Sequence, residues 1–140
     1  MANSVVISTL LDGSDGFQKG RITIIKVDII ADTTAEITGY KIFNASLYGN
    51  KTVNKKLYNL RYCLNGFNAA LFWGVSGSVS TNLLLTCETD HYNEQEFDNT
   101  VSSISNIDIT NHDGNIYLST KNLTAGDIGY LILAIQHSRE

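Results

Sequence analysis

Short runs of Ile, Val, Thr, Tyr and Phe, separated by Gly, Asn and Asp, recur along the whole chain, and nowhere are apolar residues spaced for a helical face. Alternation at a period of two marks half-buried strands, so the chain has to bury its apolar surface with sheets. Proline, which would break such sheets, is absent. The pattern predicts an all-β protein with strands over Val5 to Leu11, Arg21 to Ala31, Ala35 to Ser46, Lys56 to Leu64, Phe67 to Gly74, Asn82 to Glu88, Val101 to Thr110, Asn115 to Thr120 and Asp127 to His137. Of 140 residues, 43% are hydrophobic, enough for one core without disulfide or metal support. About nine strands fit an antiparallel β-sandwich, jelly-roll-like in type. Residues 1–12 read as an N-terminal arm or edge strand, and 13–140 as a single sandwich domain.

Two turn signals organise the strands. Asn65-Gly66 supplies positive φ angles, and a two-residue hairpin loop there opposes Leu64 to Phe67, Tyr62 to Ala69, Leu60 to Leu71 and Tyr58 to Trp73. All are apolar or aromatic, whereas the other face carries Asn59, Arg61, Cys63, Asn68 and Phe72. Asp113-Gly114 reads as a second hairpin turn, pairing Ile109 with Leu118. The Asn111, Asp113, Asn115 spacing around it lacks the downstream Glu of a calcium loop. Two segments, Arg21 to Ala31 and Ile128 to Ile135, are apolar on both faces, so each is central in the sandwich or covered by another subunit.

Catalytic chemistry is hard to assemble from the remaining residues. His91, His112 and His137 have no partner at ligand spacing, and Gly74-Val75-Ser76-Gly77-Ser78 matches neither a nucleophile elbow nor a phosphate loop. Glu88, Asp90, Glu94, Glu96 and Asp98 read as a solvated acidic loop, and Lys51, Lys55 and Lys56 as a solvated basic one. No enzyme, cofactor or metal site follows from these residues. Cys63 and Cys87 are expected to be reduced core thiols, and the sequons at Asn44, Asn50 and Asn122 to be chance matches in an Asn-rich chain. A net charge of −4 argues against a nucleic-acid partner, and no apolar run approaches the roughly 20 residues of a membrane span. Met1 to Ser8 has no basic residue ahead of its apolar stretch, so it is not read as a signal peptide.

The order of motifs adds a further expectation. Met1-Ala2-Asn3 leads to Asp12-Gly13, Lys26-Val27-Asp28, Arg61-Tyr62, Gly66, Leu71-Phe72-Trp73 and Leu83-Leu84-Leu85. It continues through Gly114-Asn115-Ile116-Tyr117-Leu118-Ser119-Thr120 and Gly126-Asp127-Ile128-Gly129-Tyr130-Leu131-Ile132-Leu133. Across nearly its whole length the chain resembles the small virion structural proteins of tailed bacteriophages known as head decoration or cement proteins. It departs from them at Asp28-Ile29-Ile30 and in a polar insertion from Gly49 to Lys56. The resemblance implies a non-enzymatic protein that binds the major capsid protein on the outer surface of a phage head and stabilises it. It further implies a homo-oligomer, taken as a trimer, made in the host cytoplasm and resident on the virion.

A shell-coating protein needs an apolar contact surface. The candidates are Val5, Ile7 and Leu11, on a segment without an obvious hairpin partner, together with Phe72, Leu131 and Leu133. Two alternatives share the same scaffold. One is a carbohydrate-binding module of a head fibre or tail, using Trp73, Tyr58 and Tyr62 as a stacking platform; the other is a head-tail adaptor.

Overall fold

The computed structural model describes residues 3–11, 22–45, 55–75, 78–87, 92–96, 104–105 and 112–137, and their regular structure is all β. The strands are β1 (Ser4–Leu11), β2 (Ile22–Ile30), β3 (Tyr40–Phe43), β4 (Lys55–Asn65), β5 (Asn68–Val75), β6 (Ser78–Cys87), β7 (Tyr92–Glu96), β8 (Ile104–Ser105), β9 (His112–Lys121) and β10 (Ile128–His137). They form two antiparallel sheets. One runs β1-β2-β10-β4-β7, with the short β8 also pairing β4; the other runs β3-β9-β5-β6. Eight strands thus make two four-strand arrays, and β1 and β8 are additions to the first, where the alternation suggested about nine strands in all.

Both sheets feed one core. Ile25, Val27 and Ile29 of β2, Leu57, Leu60, Tyr62 and Leu64 of β4, and Leu131, Leu133 and Ile135 of β10 come from the first sheet. Phe43, Ala69, Leu71, Trp73, Cys87, Ile116 and Leu118 come from the second. Along β2 the burial alternates residue by residue, which is the pleat reporting one covered face. The doubly apolar β10 lies between β2 and β4, so its backbone is satisfied on both sides.

The Asn65-Gly66 hairpin does not form. β4 and β5 belong to different sheets, and Asn65-Gly66 is the corner between them. Tyr58 departs from the expected face parity: it is only half-buried, because the register with β10 shifts between Asn59 and Leu57 and puts Leu57 in the core instead. From Leu60 onward the parity holds, with Leu60, Tyr62, Leu64, Phe67, Ala69, Leu71 and Trp73 all buried. These side chains meet in the core from opposite sheets instead of lying side by side in one. Phe67, the first residue past the corner, shows the closeness of the layers. A Cβ on Gly129 of β10 would lie 2.9 Å from the end of its ring.

Gly66 itself has φ of 95°, and a Cβ there would run into the carboxylate of Asp127. That carboxylate is held in place, because its Oδ2 accepts the Thr124 N–H at 2.8 Å. Gly66→Ala is therefore expected to cost about 2–3 kcal/mol, combining left-handed strain of ~1–2 kcal/mol with the collision. Removing the obstacle with Asp127→Ala should recover the steric part but not the strain. Urea unfolding of the two single variants and the double variant reads this coupling, and a neutral Gly66→Ala would contradict the corner geometry.

Three further expectations are corrected. Asp113-Gly114 is not a hairpin turn, because both residues lie inside β9, where the β5 register slips between Trp73–Ile116 and Val75–His112. Gly114, at φ 83°, serves this bulge, and Asp113 Oδ1 accepts the Asn115 N–H at 3.0 Å across it. The other half of that hairpin, Ile107 to Asn111, lies outside the described residues. Residues 92–96, expected in a solvated acidic loop, form β7 on β4, pairing its Asn59–Cys63 stretch while β8 pairs Lys56 and Leu57. The strand expected from Ala35 to Ser46 is confined to Tyr40–Phe43. Its first part instead follows β9 through single bonds, Ile37 N–H to Thr120 Oγ1 and Gly39 N–H to Ser119 Oγ.

Candidate interaction surface

The expected contact residues separate into three places. Leu131 and Leu133 are fully buried on the inner face of β10, so they are core residues and cannot meet a partner while the subunit stays folded. This corrects their assignment as interface residues. A doubly apolar strand offers both parities, and the second sheet covers this one. Phe72 is half-buried on the other sheet, opposite Tyr117 of β9. Val5, Ile7 and Leu11 remain together on β1. Val5 packs against the core, Ile7 is 37% exposed and Leu11 52% exposed.

β1 is the outermost strand of the first sheet, antiparallel to β2 in continuous register from Ser4–Ile30 to Thr9–Ile25, with a shift before Leu11–Ile24. One of its backbone edges is therefore occupied by its own chain. It is not an arm waiting to be donated. Its start is pinned as well: Asn3 Oδ1 accepts the N–H groups of Asp32 and Thr33, each at 2.8 Å, while Asn3 Nδ2 donates to the Ala35 carbonyl at 2.7 Å. The other edge of β1 pairs with no strand among the described residues.

Exposed large hydrophobic side chains gather around that edge. Val6, Ile7, Leu10 and Leu11 belong to β1, Ile30 ends β2, and Ile128 opens β10 opposite Ile30. Tyr40 is exposed elsewhere, on β3. Apolar patches on monomers reach on the order of 300–600 Å² and at that size commonly mark contact sites. Val6, Leu10, Ile30 and Ile128 were not among the expected contacts. The signal available for Ile30 and Ile128 was the double apolarity of their strands, which does not reveal the covered face. Further along the sheet the outer face is polar, with Lys26 and Asp28 3.5 Å apart and Lys26 above the Tyr130 ring at 5.6 Å.

Other sequence features are dispersed by the fold. Trp73 and Tyr62 are buried, so with half-buried Tyr58 they present no stacking platform. Lys55 is fully buried at the start of β4, which separates it from any solvated basic loop; residue 51 lies outside the described residues. Cys87 is a free core thiol whose burial pushes its pKa up to about 12, so it is a poor nucleophile near neutrality. Cys63, expected in the core, is free and half-buried on the outer face of β4. His112 lies in β9 and His137 ends β10, while residue 91 is outside the described residues. Among the described residues, no group of three or more His, Cys, Asp or Glu side chains is placed to hold a metal ion, and no helix is long and apolar enough to cross a membrane.

No known protein family, curated protein or solved structure matches the chain.

Proposed function

We propose that this chain is a jelly-roll structural protein of a phage virion, a decoration or cement protein that binds the major capsid protein on the outer surface of the head and associates with itself. Its place is then the capsid surface, reached from the host cytoplasm during assembly. The observation that carries the reading is the strand order, β2-β10-β4-β7 against β3-β9-β5-β6. Each sheet alternates early and late strands, as two Greek keys rolled together do, and capsid domains commonly use this architecture. The apolar edge at β1 supports a contact role for such a scaffold. In this reading the polar remainder of the surface keeps the protein soluble before it reaches a shell.

The test is attachment. Heads assembled without the protein are mixed with the purified chain, pelleted and imaged by electron microscopy. Many copies spread over the shell, with raised resistance of the heads to heat, are expected. Density confined to one vertex would replace this reading with a head-tail adaptor, and no attachment would overturn it. The glycan-binding alternative would be revived by saturable binding to host surface polysaccharide, for which Trp73 and Tyr62, both buried, supply no platform.

A further inference from the structure

We propose that the outer edge of β1, which no described strand pairs, is a two-fold interface at which a second copy of this chain pairs its own β1 about Val6, antiparallel, joining two sheets into one. The inference gives the self-association of the preceding reading a site and a symmetry, and rests on that part of it.

The sheet edges differ in how they are defended. Proteins blunt sheet edges with charge, brevity or bulges, because an unpaired row of N–H and C=O groups recruits other strands. β7, at the far side of the same sheet, is five residues long and carries Glu94 and Glu96. β3 has four residues, a register shift and Lys41. β6 has no charge, but its register against β5 slips twice. β1 is eight residues long, carries no charge, and stays in register from Ser4 to Thr9. Of these four, it is the uncharged edge that keeps its register over six consecutive pairs, its one shift falling near its end, before Leu11.

The sequence of the edge selects its occupant. A strand edge that no described strand covers takes a strand, and an uncharged one gains nothing from a charged partner. Ser4-Val5-Val6-Ile7-Ser8 has the same chemical classes in either direction about Val6. Antiparallel pairing centred on Val6 places Val6 against Val6 of the second copy, Val5 against Ile7, and Ser4 against Ser8. Every apolar side chain then meets an apolar one, every hydroxyl meets a hydroxyl, and all pairs share a face of the sheet. Such an isologous contact closes on itself as a dimer; a three-fold assembly would have to use a different surface. Because Asn3 anchors β1 to the loop after β2, the edge is presented already ordered, and little entropy is lost in pairing.

Sedimentation of the full chain should show a dimer. Val6→Lys places two ammonium groups across the axis, and should weaken the dimer at least 100-fold while leaving the melting temperature of the subunit within a few degrees, since Val6 is 52% exposed. In a Cys63→Ser background, Val6→Cys should oxidise to a covalent dimer. Ser8→Cys should not, because its two copies would lie ~14 Å apart along the strands, beyond disulfide reach. A monomeric wild type, a dimer indifferent to Val6→Lys, or equal cross-linking at both positions would overturn the inference. Head attachment is scored separately. A wild type that binds heads as a monomer sinks this interface alone, and a dimer that ignores heads sinks the capsid reading alone.

Discussion

Leu133→Glu is expected to abolish folding, whereas Ile132→Glu, one residue away, should leave the subunit folded. Leu133 is fully buried between β2 and β4, with Ile25 and Leu60 as its cross-strand neighbours, so a carboxylate there would have no partner. An uncompensated buried charge costs several kcal/mol, a large share of the roughly 5–15 kcal/mol by which domains are stable. Ile132 points to the outer face, half-buried, between Lys26 of β2 and Arg61 of β4. A glutamate at 132 would sit between two cations, and cross-strand pairs of opposite charge contribute roughly 0.2–1 kcal/mol each. Circular dichroism and urea titration separate the two variants. If both unfold, the outer face of β10 is also covered; if neither does, the inner sheet packing is wrong. Ile132 is remote from the β1 edge, so its glutamate variant should also keep the dimer.

Trp73→Ala should be the costliest truncation in the core. Trp73 is 2% exposed and the largest of the fully buried side chains. Its removal is expected to cost about 3–5 kcal/mol, the range for aromatic-to-alanine changes that leave a cavity. For a domain of this size that lowers the melting temperature by roughly 10–20 °C. Trp73→Phe, which refills part of the space, should cost only ~1–2 kcal/mol. Because this is the chain's single tryptophan, calorimetry or far-ultraviolet dichroism is the measurement of choice. A loss below ~1 kcal/mol for the alanine variant would place Trp73 outside the core.

Trp73 also shows what the sequence could and could not reveal. Its burial was legible, because inward and outward parity along Leu60 to Trp73 is a property of each strand alone, whereas the irregularity that exchanges Leu57 for Tyr58 in the core is not written in the alternation. The pairing was not. Apolar residues matched across an Asn-Gly turn satisfy a hairpin and a corner between sheets equally, and positive φ at Gly66 suits both. Asp113-Gly114 failed for the same reason, since a bulge and a turn ask for the same backbone freedom. β7 was hidden by composition: Tyr-Asn-Glu-Gln-Glu reads as solvated, yet pairing with β4 depends on backbone groups that no composition reports. On β1, the exposed apolar character of Ile7 and Leu11 was legible because their strand is apolar without an adjacent hairpin partner. Leu131 and Leu133 were misassigned because which face of β10 is covered depends on a second sheet contributed by distant segments.

The central position of β10 carries a consequence for biosynthesis. The strand that joins β2 to β4 is translated well after both, so the first sheet has no middle until residues 128–137 have been made. At about 5–20 residues per second, β2 and β4 wait for seconds with their facing edges open. Folding is then governed by a late insertion between two strands made long before, the slow regime of non-local topologies. A nascent chain stalled before residue 128 should therefore be captured by chaperones that bind exposed strands, and emergence of β10, not growth of the segments before it, should set the time at which the fold appears.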